Sequence, residues 1–242
     1  MRINKFLSFK GICSRREADR WIEESKVVLN GRVAVLGDQV VEGDVVEVNG
    51  KTYQGGDSKE NFMRVIVAYN KPEGVESTQD ARNPRNIDLA MNYTGPRVFL
   101  IGRLDIASEG LILLTNDGDL VNPILRSGGQ HEKEYVVAYD KSVTEHHLVH
   151  MESGVDIGDE LRGPTKPCRV ERLGGNRIKI ILTEGRNRQI RRMAEALDLR
   201  VVRLKRIRVM NVELGDLKTG QWRHLSKEEE AEILKRTSAS VS

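Results

Sequence analysis

The sequence predicts an α+β protein in two parts, a small N-terminal module of helices and short strands and a larger domain built on a mixed sheet. Three observations carry this. The 242 residues suffice for one large domain and a small one. The run Gln54-Gly55-Gly56-Asp57-Ser58-Lys59-Glu60-Asn61 has nothing to bury and reads as a linker. Beyond it, strand-like apolar runs are many, helical patterns few, and the two do not alternate strictly, which indicates α+β rather than repeated βαβ units. The expected divisions are 1–53, a linker at 54–61, a large domain at 62–225 and a C-terminal segment at 226–242.

In the first module, Arg2 to Leu7 reads as a short helical start broken by Gly11. Ser14 then offers an N-cap with Glu17 three residues on, the capping-box spacing. Arg15 to Glu24 carries Ala18, Trp21 and Ile22 at spacings of three and four, an amphipathic helix. Trp21 lies on its apolar stripe and is expected in the core, not as a stacking platform for bases. Val27 to Arg32 contains Asn30-Gly31, which marks a tight hairpin turn. Val33 to Val35 and Asp44 to Val48 supply further short strands.

The second domain opens at Phe62 with a buried-type strand, Val65 to Tyr69, running into Asn70-Lys71-Pro72-Glu73-Gly74 and Ser77-Thr78. Strands are expected again at Val98 to Ile101, Glu134 to Tyr139, Leu161 to Val170, Arg177 to Leu182 and Val201 to Val209. Helices fit best at Asp117 to Arg126, Thr144 to Glu152 and Asn187 to Leu197. Ser226 to Ser242 begins as an N-capped acidic helix and is expected to fray into disorder. There is no internal repeat.

Charged residues make up 31% and aromatic residues 5%, the composition of a polar-surfaced protein. Cys13 and Cys168 lie too far apart for a disulfide framework or a zinc site, which favours a reducing, cytoplasmic setting. The first residues lack the apolar core of a signal peptide, and no stretch approaches the ~18 apolar residues of a membrane span. Charge is unevenly distributed. Met1 to Gly37 holds eight Lys/Arg and four Asp/Glu, Asp38 to Gly50 four acids and no base, and Gly185 to Arg208 nine bases and two acids. Two basic concentrations suit a protein that grips phosphates at two points.

The chemistry centres on Gly102-Arg103-Leu104-Asp105-Ile106-Ala107-Ser108-Glu109-Gly110-Leu111, followed by Ile112-Leu113-Leu114-Thr115-Asn116-Asp117-Gly118. One carboxylate, Asp105, stands between an arginine and a serine just ahead of an uncharged apolar run and a turn-forming Asn-Asp-Gly. Spacing alone allows two readings, a loop carboxylate paired to Arg103 or an acid positioned for chemistry. This block resembles the active-site motif of the RNA pseudouridine synthases, in the branch typified by the small-subunit enzyme RsuA. It meets the pattern G-R-L-D-x-x-S-x-G-L-L-L-L-T-N-D-G with one conservative change, Ile112. The resemblance implies that Asp105 is the catalytic residue.

Three further blocks extend the resemblance over about residues 2–225. The N-K-P-x-G at Asn70 to Gly74 matches the family's first motif. His131-Glu132-Lys133-Glu134-Tyr135 resembles its K-x-Y motif, so Tyr135, otherwise a packed strand tyrosine, is expected to stack on a flipped pyrimidine and offer a phenol for proton transfer. Glu184 to Met193 resembles the G-x-x-x-Q-[IV]-[KR]-R-M helix start, in which Arg191 would hold the aspartate ionised by a two-pronged contact and Ile190 would wall the pocket. Residues 2–48 resemble the S4 RNA-binding domain, through Leu7, Gly11, Ser14, Arg15, Arg16, Ala18, Ile22, Val27, Leu29, Asn30 and Gly31. The implied fold is an S4-like module plus a mainly antiparallel sheet crossed by an active-site cleft. Phosphate contacts are expected from Arg2, Lys5, Arg15, Arg16, Arg186, Arg188 and Arg192. Arg103 would fill the space vacated by the base or bind its phosphate.

The implied reaction breaks the N1–C1′ bond of uridine, turns the freed uracil and joins C5 to C1′. Asp105 would either attack C1′ or remove a sugar proton to give a glycal-like intermediate. With no redox change, no cofactor is expected, and the chain carries no P-loop, dinucleotide fingerprint or metal cluster. His146, His147 and His150 cluster on one helix and read as a polar face, not a metal site.

Within the branch the motifs look most like the RluF-type enzymes that modify large-subunit (23S) ribosomal RNA, some of which also act on transfer RNA. The chain departs from the longer members by lacking an extended Lys/Arg-rich C-terminal tail. Expected partners are ribosomal RNA, transfer RNA and assembling ribosomal particles, with the chain itself a monomer and no membrane involved. Three alternatives stand beside this. One is a small-subunit (16S) ribosomal enzyme, another a non-catalytic RNA-binding or ribosome-assembly protein. The third is a glycosidase-like hydrolase, for which Glu109 is the near candidate as second carboxylate.

Overall fold

A computed structural model describes residues 1–56, 63–126 and 131–238. Residues 57–61 of the expected linker and 239–242 of the expected disordered tail lie outside the described residues. The chain forms two compact units. One is Met1–Val65 with two short pieces at 96–98 and 116–118, and the other holds the remainder.

The small unit contains α1 (Ile3–Phe9), α2 (Arg15–Glu23), β1 (Val27–Leu29), β2 (Arg32–Val33), β3 (Val45–Val48) and β4 (Lys51–Gln54). The capping box forms as expected: Ser14 Oγ accepts from the Glu17 amide at 3.2 Å, and the Glu17 carboxylate accepts from the Ser14 amide at 3.5 Å. Asn30 and Gly31 both take positive φ, 49° and 80°, the geometry that lets a two-residue turn follow strand twist. The strands pair antiparallel in the order β2-β1-β3-β4. Phe6, Leu7, Ala18, Ile22, Val27 and Val46 close the core, with Trp21 partly buried against it. The edge strand β4 has no apolar alternation in its sequence; only its ladder with β3 makes it a strand.

The large unit runs β5 (Ile66–Lys71), α3 (Ile87–Met91), β6 (Phe99–Ile101), β7 (Glu109–Thr115), α4 (Gly118–Arg126), β8 (Lys133–Tyr139), α5 (Glu145–Ser153), β9 (Arg169–Gly174), β10 (Arg177–Leu182), α6 (Gln189–Ala196), β11 (Val201–Val209), β12 (Val212–Glu213), β13 (Trp222–His224) and α7 (Lys227–Ser238). The main sheet is ordered β13-β5-β7-β11-β8-β10-β9, with β6 beside β7 and β12 beside β11. Its ladders are antiparallel except β7 with β11, which is parallel. The mixed, mainly antiparallel α+β fold is thus as expected.

The central strands β5 and β7 are buried on both faces, which is why their sequences read as near-continuous apolar runs. One core gathers β8, β10 and β11 against α5 and α6 through Val137, Tyr139, Met151, Ile180 and Met193. The other gathers β5 and β7 against α4 and α7 through Ile66, Leu111, Leu113, Ile124 and Ile233.

One expected element does not form. Leu161 to Cys168 is irregular and the strand starts only at Arg169, with Leu161 98% exposed. The stretch carries Pro164 and Pro167, which cannot donate to a ladder, and Gly163 at φ +60°.

Candidate active site

Asp105 sits in the loop between β6 and β7, half-buried at the wall of a cleft of about 420 Å³. That volume lies within the ~300–1,000 Å³ span of small-molecule sites. The loop leaves β6 through Gly102 at φ +79° and is then braced from three remote segments. Ser77 Oγ donates to the Leu104 carbonyl at 2.7 Å and accepts from the Leu104 amide at 3.1 Å. The Gly74 amide donates to the Ile106 carbonyl at 2.8 Å. Arg191 Nη2 donates to the Ala107 carbonyl at 2.6 Å and lies 3.3 Å from Ser108 Oγ. Bonds to the backbone on both sides of Asp105 therefore fix the main chain that carries its carboxylate.

The same cleft is lined by Tyr135 from β8 and by Ile190 and Arg191 from α6. Tyr135 and Ile190 are 8% and 5% exposed, and each presents an apolar flank. Arg191 differs from expectation. Its guanidinium makes no direct contact with the Asp105 carboxylate; it reaches the backbone two residues further on and, through Nη1, the Val201 carbonyl at 3.3 Å. Burial and then Arg188 lower its pKa from the ordinary arginine value, against the opposing pull of Asp105. Arg191 thus anchors the loop while holding positive charge near the acid.

Arg103 is exposed at the cleft and donates no hydrogen bond among the described residues. Its expected alternative role, an ion pair with Asp105, is not formed among the described residues. Glu109 is occupied by Arg203, which leaves the hydrolase reading without its second acid.

The expected phosphate contacts divide. Arg2, Arg15 and Arg16 are exposed on the small unit, the latter two in the first turn of α2 where backbone N–H groups also point outward, and Lys5 is half-buried. Arg188 is exposed at the cleft, at the N-terminus of α6, with φ +50°. Arg186 is a correction. Its side chain is only 6% exposed and its donors are taken by the carbonyls of Gly163 (2.6 Å) and Pro164 (2.7 Å) and by Glu184 (3.2 Å), so it buttresses the 159–164 loop. Arg192 is half-buried and donates to the Ile157 carbonyl.

Three cations, two of them in the cleft, carry no expected role from the sequence. Lys71 is fully buried, with Nζ donating to the carbonyls of Pro72 (2.8 Å) and Val75 (2.7 Å). Burial pushes its ammonium down to about 8, against the pull of Glu73, Asp105 and Glu109. Lys133 and Arg206 line the cleft itself. Lys71 and Lys133 belong to quoted motifs, which was the available signal; Arg206 had none.

The three α5 histidines do share a helix, with His147 in its capping box and the His146 and His150 rings 4.0 Å apart. Among the described residues, no cluster of His, Cys, Asp or Glu could hold a metal ion, and no helix is long and apolar enough to cross a membrane.

A sheet that presents an aspartate, a tyrosine and an arginine to one nucleotide-sized cleft, joined to an S4-like module, defines a class of RNA-modifying enzyme. The comparisons agree. Residues 65–196 match the RNA pseudouridylate synthase family and residues 1–46 the S4 domain. The dual-specificity RNA pseudouridine synthases RluF of Salmonella typhi and Escherichia coli K12 are 46% and 47% identical across this whole chain, which spans 81% of each. The ribosomal large subunit pseudouridine synthase B of Pseudomonas aeruginosa is 34% identical, covering 94% of this chain and 60% of that protein. A crystal structure of a pseudouridylate synthase superposes with a TM-score of 0.68 at 28% identity, over 98% of this chain and 99% of that one. The chain belongs to the RNA pseudouridine synthase family and carries an S4 domain. Its activity is the isomerisation of uridine to pseudouridine in RNA.

Proposed function

We propose that the chain modifies a specific uridine of large-subunit ribosomal RNA, with transfer RNA as a second target, and that Asp105 initiates the reaction. The carrying observation is the bracing of the Asp105 loop by Ser77, Gly74 and Arg191, which holds one carboxylate at the cleft wall beside Tyr135. A group held this way reacts without first being ordered. In the proposed sequence, the target base leaves its stack and enters the cleft, at a cost of a few kcal/mol offset by backbone contacts. Tyr135 stacks on it, Ile190 closes one side, and Arg191 holds positive charge beside the acid. Asp105 engages the ribose, N1–C1′ breaks, the uracil turns, and C5 bonds to C1′. Arg103 and Arg188 at the cleft, with Arg15 and Arg16 on the S4 domain, contact phosphates. The relatives named for dual specificity and for the large ribosomal subunit support the choice of RNA.

The test is carbodiimide–primer-extension mapping of unmodified ribosomal and transfer RNA, free and in partly assembled large subunits, after treatment with the chain or with Asp105→Asn. A stop in large-subunit RNA made only by the wild type is expected. A stop confined to small-subunit RNA would overturn the target assignment, and turnover by Asp105→Asn would overturn the role of the acid.

A further inference from the structure

Two cations of the cleft make no ion pair among the described residues. Lys133 and Tyr135 lie two apart on β8 and so share a face, and Arg206 stands directly across from Tyr135 on β11. All three line the cleft that holds Asp105. Among the described residues, Lys133 Nζ reaches only the His131 carbonyl, at 3.4 Å. Arg206 is 4% exposed; its Nε donates to the Leu111 carbonyl at 2.6 Å, and its buried Nη2 has no hydrogen-bond partner among the described residues. The nearby carboxylates are engaged elsewhere, Glu109 by Arg203 and both Glu132 and Glu134 by Arg208. Burial pushes the Lys133 ammonium below its ordinary value, and Arg206 adds to the effect. Two cations kept half or wholly out of water without an anion are costly unless an anion arrives.

We infer that Lys133 and Arg206 receive the negative charge of the uracil ring as its bond to ribose breaks. This rests on the proposed site. When N1–C1′ cleaves, the bonding pair stays on N1 and spreads over O2 and O4; donors from Lys133 and Arg206 meet those oxygens. When C5 bonds to C1′ the ring charge is discharged, and the C5 proton then passes to N1, the atom that held the bond to ribose, so the isomerisation balances without another reactant. An RNA phosphate is the lesser fit, because the pair lies against Tyr135 among Leu182, Leu204 and Val209, while exposed Arg103 and Arg188 are better placed for phosphate.

A charge that is absent from bound uridine and appears only as the bond breaks affects kcat, not binding. The experiment compares single-turnover loss of the target nucleoside in RNA carrying uridine or 5-fluorouridine, whose ring is the better leaving group. For Lys133→Met we expect the uridine rate to fall about 100-fold with RNA affinity within about twofold, and the 5-fluorouridine rate to fall only about 10-fold. Lys133→Arg should restore most of the rate. Equal losses on both RNAs, or a loss carried by affinity and salt dependence as for a phosphate contact, would overturn the inference. Should Lys133→Met melt early, Lys133→Gln and Arg206→Lys give the same comparison. Asp105→Asn separates the two proposals: it should be inert on both RNAs, and turnover there would remove the proposed site itself.

Discussion

Gly110 and Arg206 pair across the parallel ladder between β7 and β11 so closely that the glycine has no room for a side chain. A Cβ at Gly110 would lie 2.2 Å from the Arg206 carbonyl oxygen and 2.7 Å from its amide nitrogen, and φ is +104°. Both obstacles are backbone and cannot swing aside. Gly110→Ala should therefore cost more than about 2 kcal/mol, read as a lower urea midpoint at unchanged m-value. Any protein that still folds should be nearly inactive, because the strained strand leads directly from the Asp105 loop.

Asp105→Asn should abolish turnover while RNA affinity stays within about threefold, since in the proposed site the carboxylate does the chemistry and the arginines hold the RNA. Filter binding and nucleoside analysis on the same preparation check this. A parallel loss of affinity would show that the acid instead orders the RNA site.

Arg15 and Arg16 are exposed in the first turn of α2. Replacing both by Ala should weaken RNA binding and lower the slope of log K against log salt by roughly 1.5, the value for two single-strand phosphate contacts. The single-turnover rate at saturating enzyme should be unchanged.

Lys71 makes stability depend on pH. Its folded pKa of about 8 lies below the ordinary 10.5. Below pH 8 it is protonated in both states and the full cost of burying the charge is present. Between pH 8 and 10.5 the unfolded chain binds more proton than the folded one, so stability rises with pH, by up to about 1.4 kcal/mol per unit. Relative to Lys71→Met, the wild type should gain about 2–3 kcal/mol between pH 7.5 and 10.5 in urea titrations. Parallel profiles would mean that Lys71 titrates as an ordinary lysine.

Much of this was legible in the sequence where one short-range pattern decides. Ser14 with Glu17, Asn30-Gly31 and the apolar run of β7 state their structures locally. The site residues Asp105, Tyr135, Ile190 and Arg191 were found through motifs, and the structure brings all four to one cleft. What stayed hidden depends on long-range register. In Val201–Val209 a period of two would place Arg206 and Arg208 on one face. An irregularity between them instead sets Arg206 opposite Tyr135 and Arg208 opposite Glu134, which sends one into the cleft and the other into ion pairs on the far surface. Arg186 misled for a related reason. Its charge reads as a phosphate contact until the 159–164 loop folds over it. The destination of Arg191, a backbone carbonyl 84 residues away, is invisible to any local pattern.

The struts around Asp105 come from Ser77, Gly74 and Arg191, and the bond from Arg191 spans 84 positions while that from Ser77 spans 27. No fragment of the chain shorter than that span holds the acid in place. Contacts of such separation form only after costly loop closure, so the site is assembled late on the folding route. Catalytic competence is therefore a reporter of completed tertiary structure: a refolding chain would regain its helices and its hold on RNA before its first turnover, and the lag between the two would time the closing of the sheet.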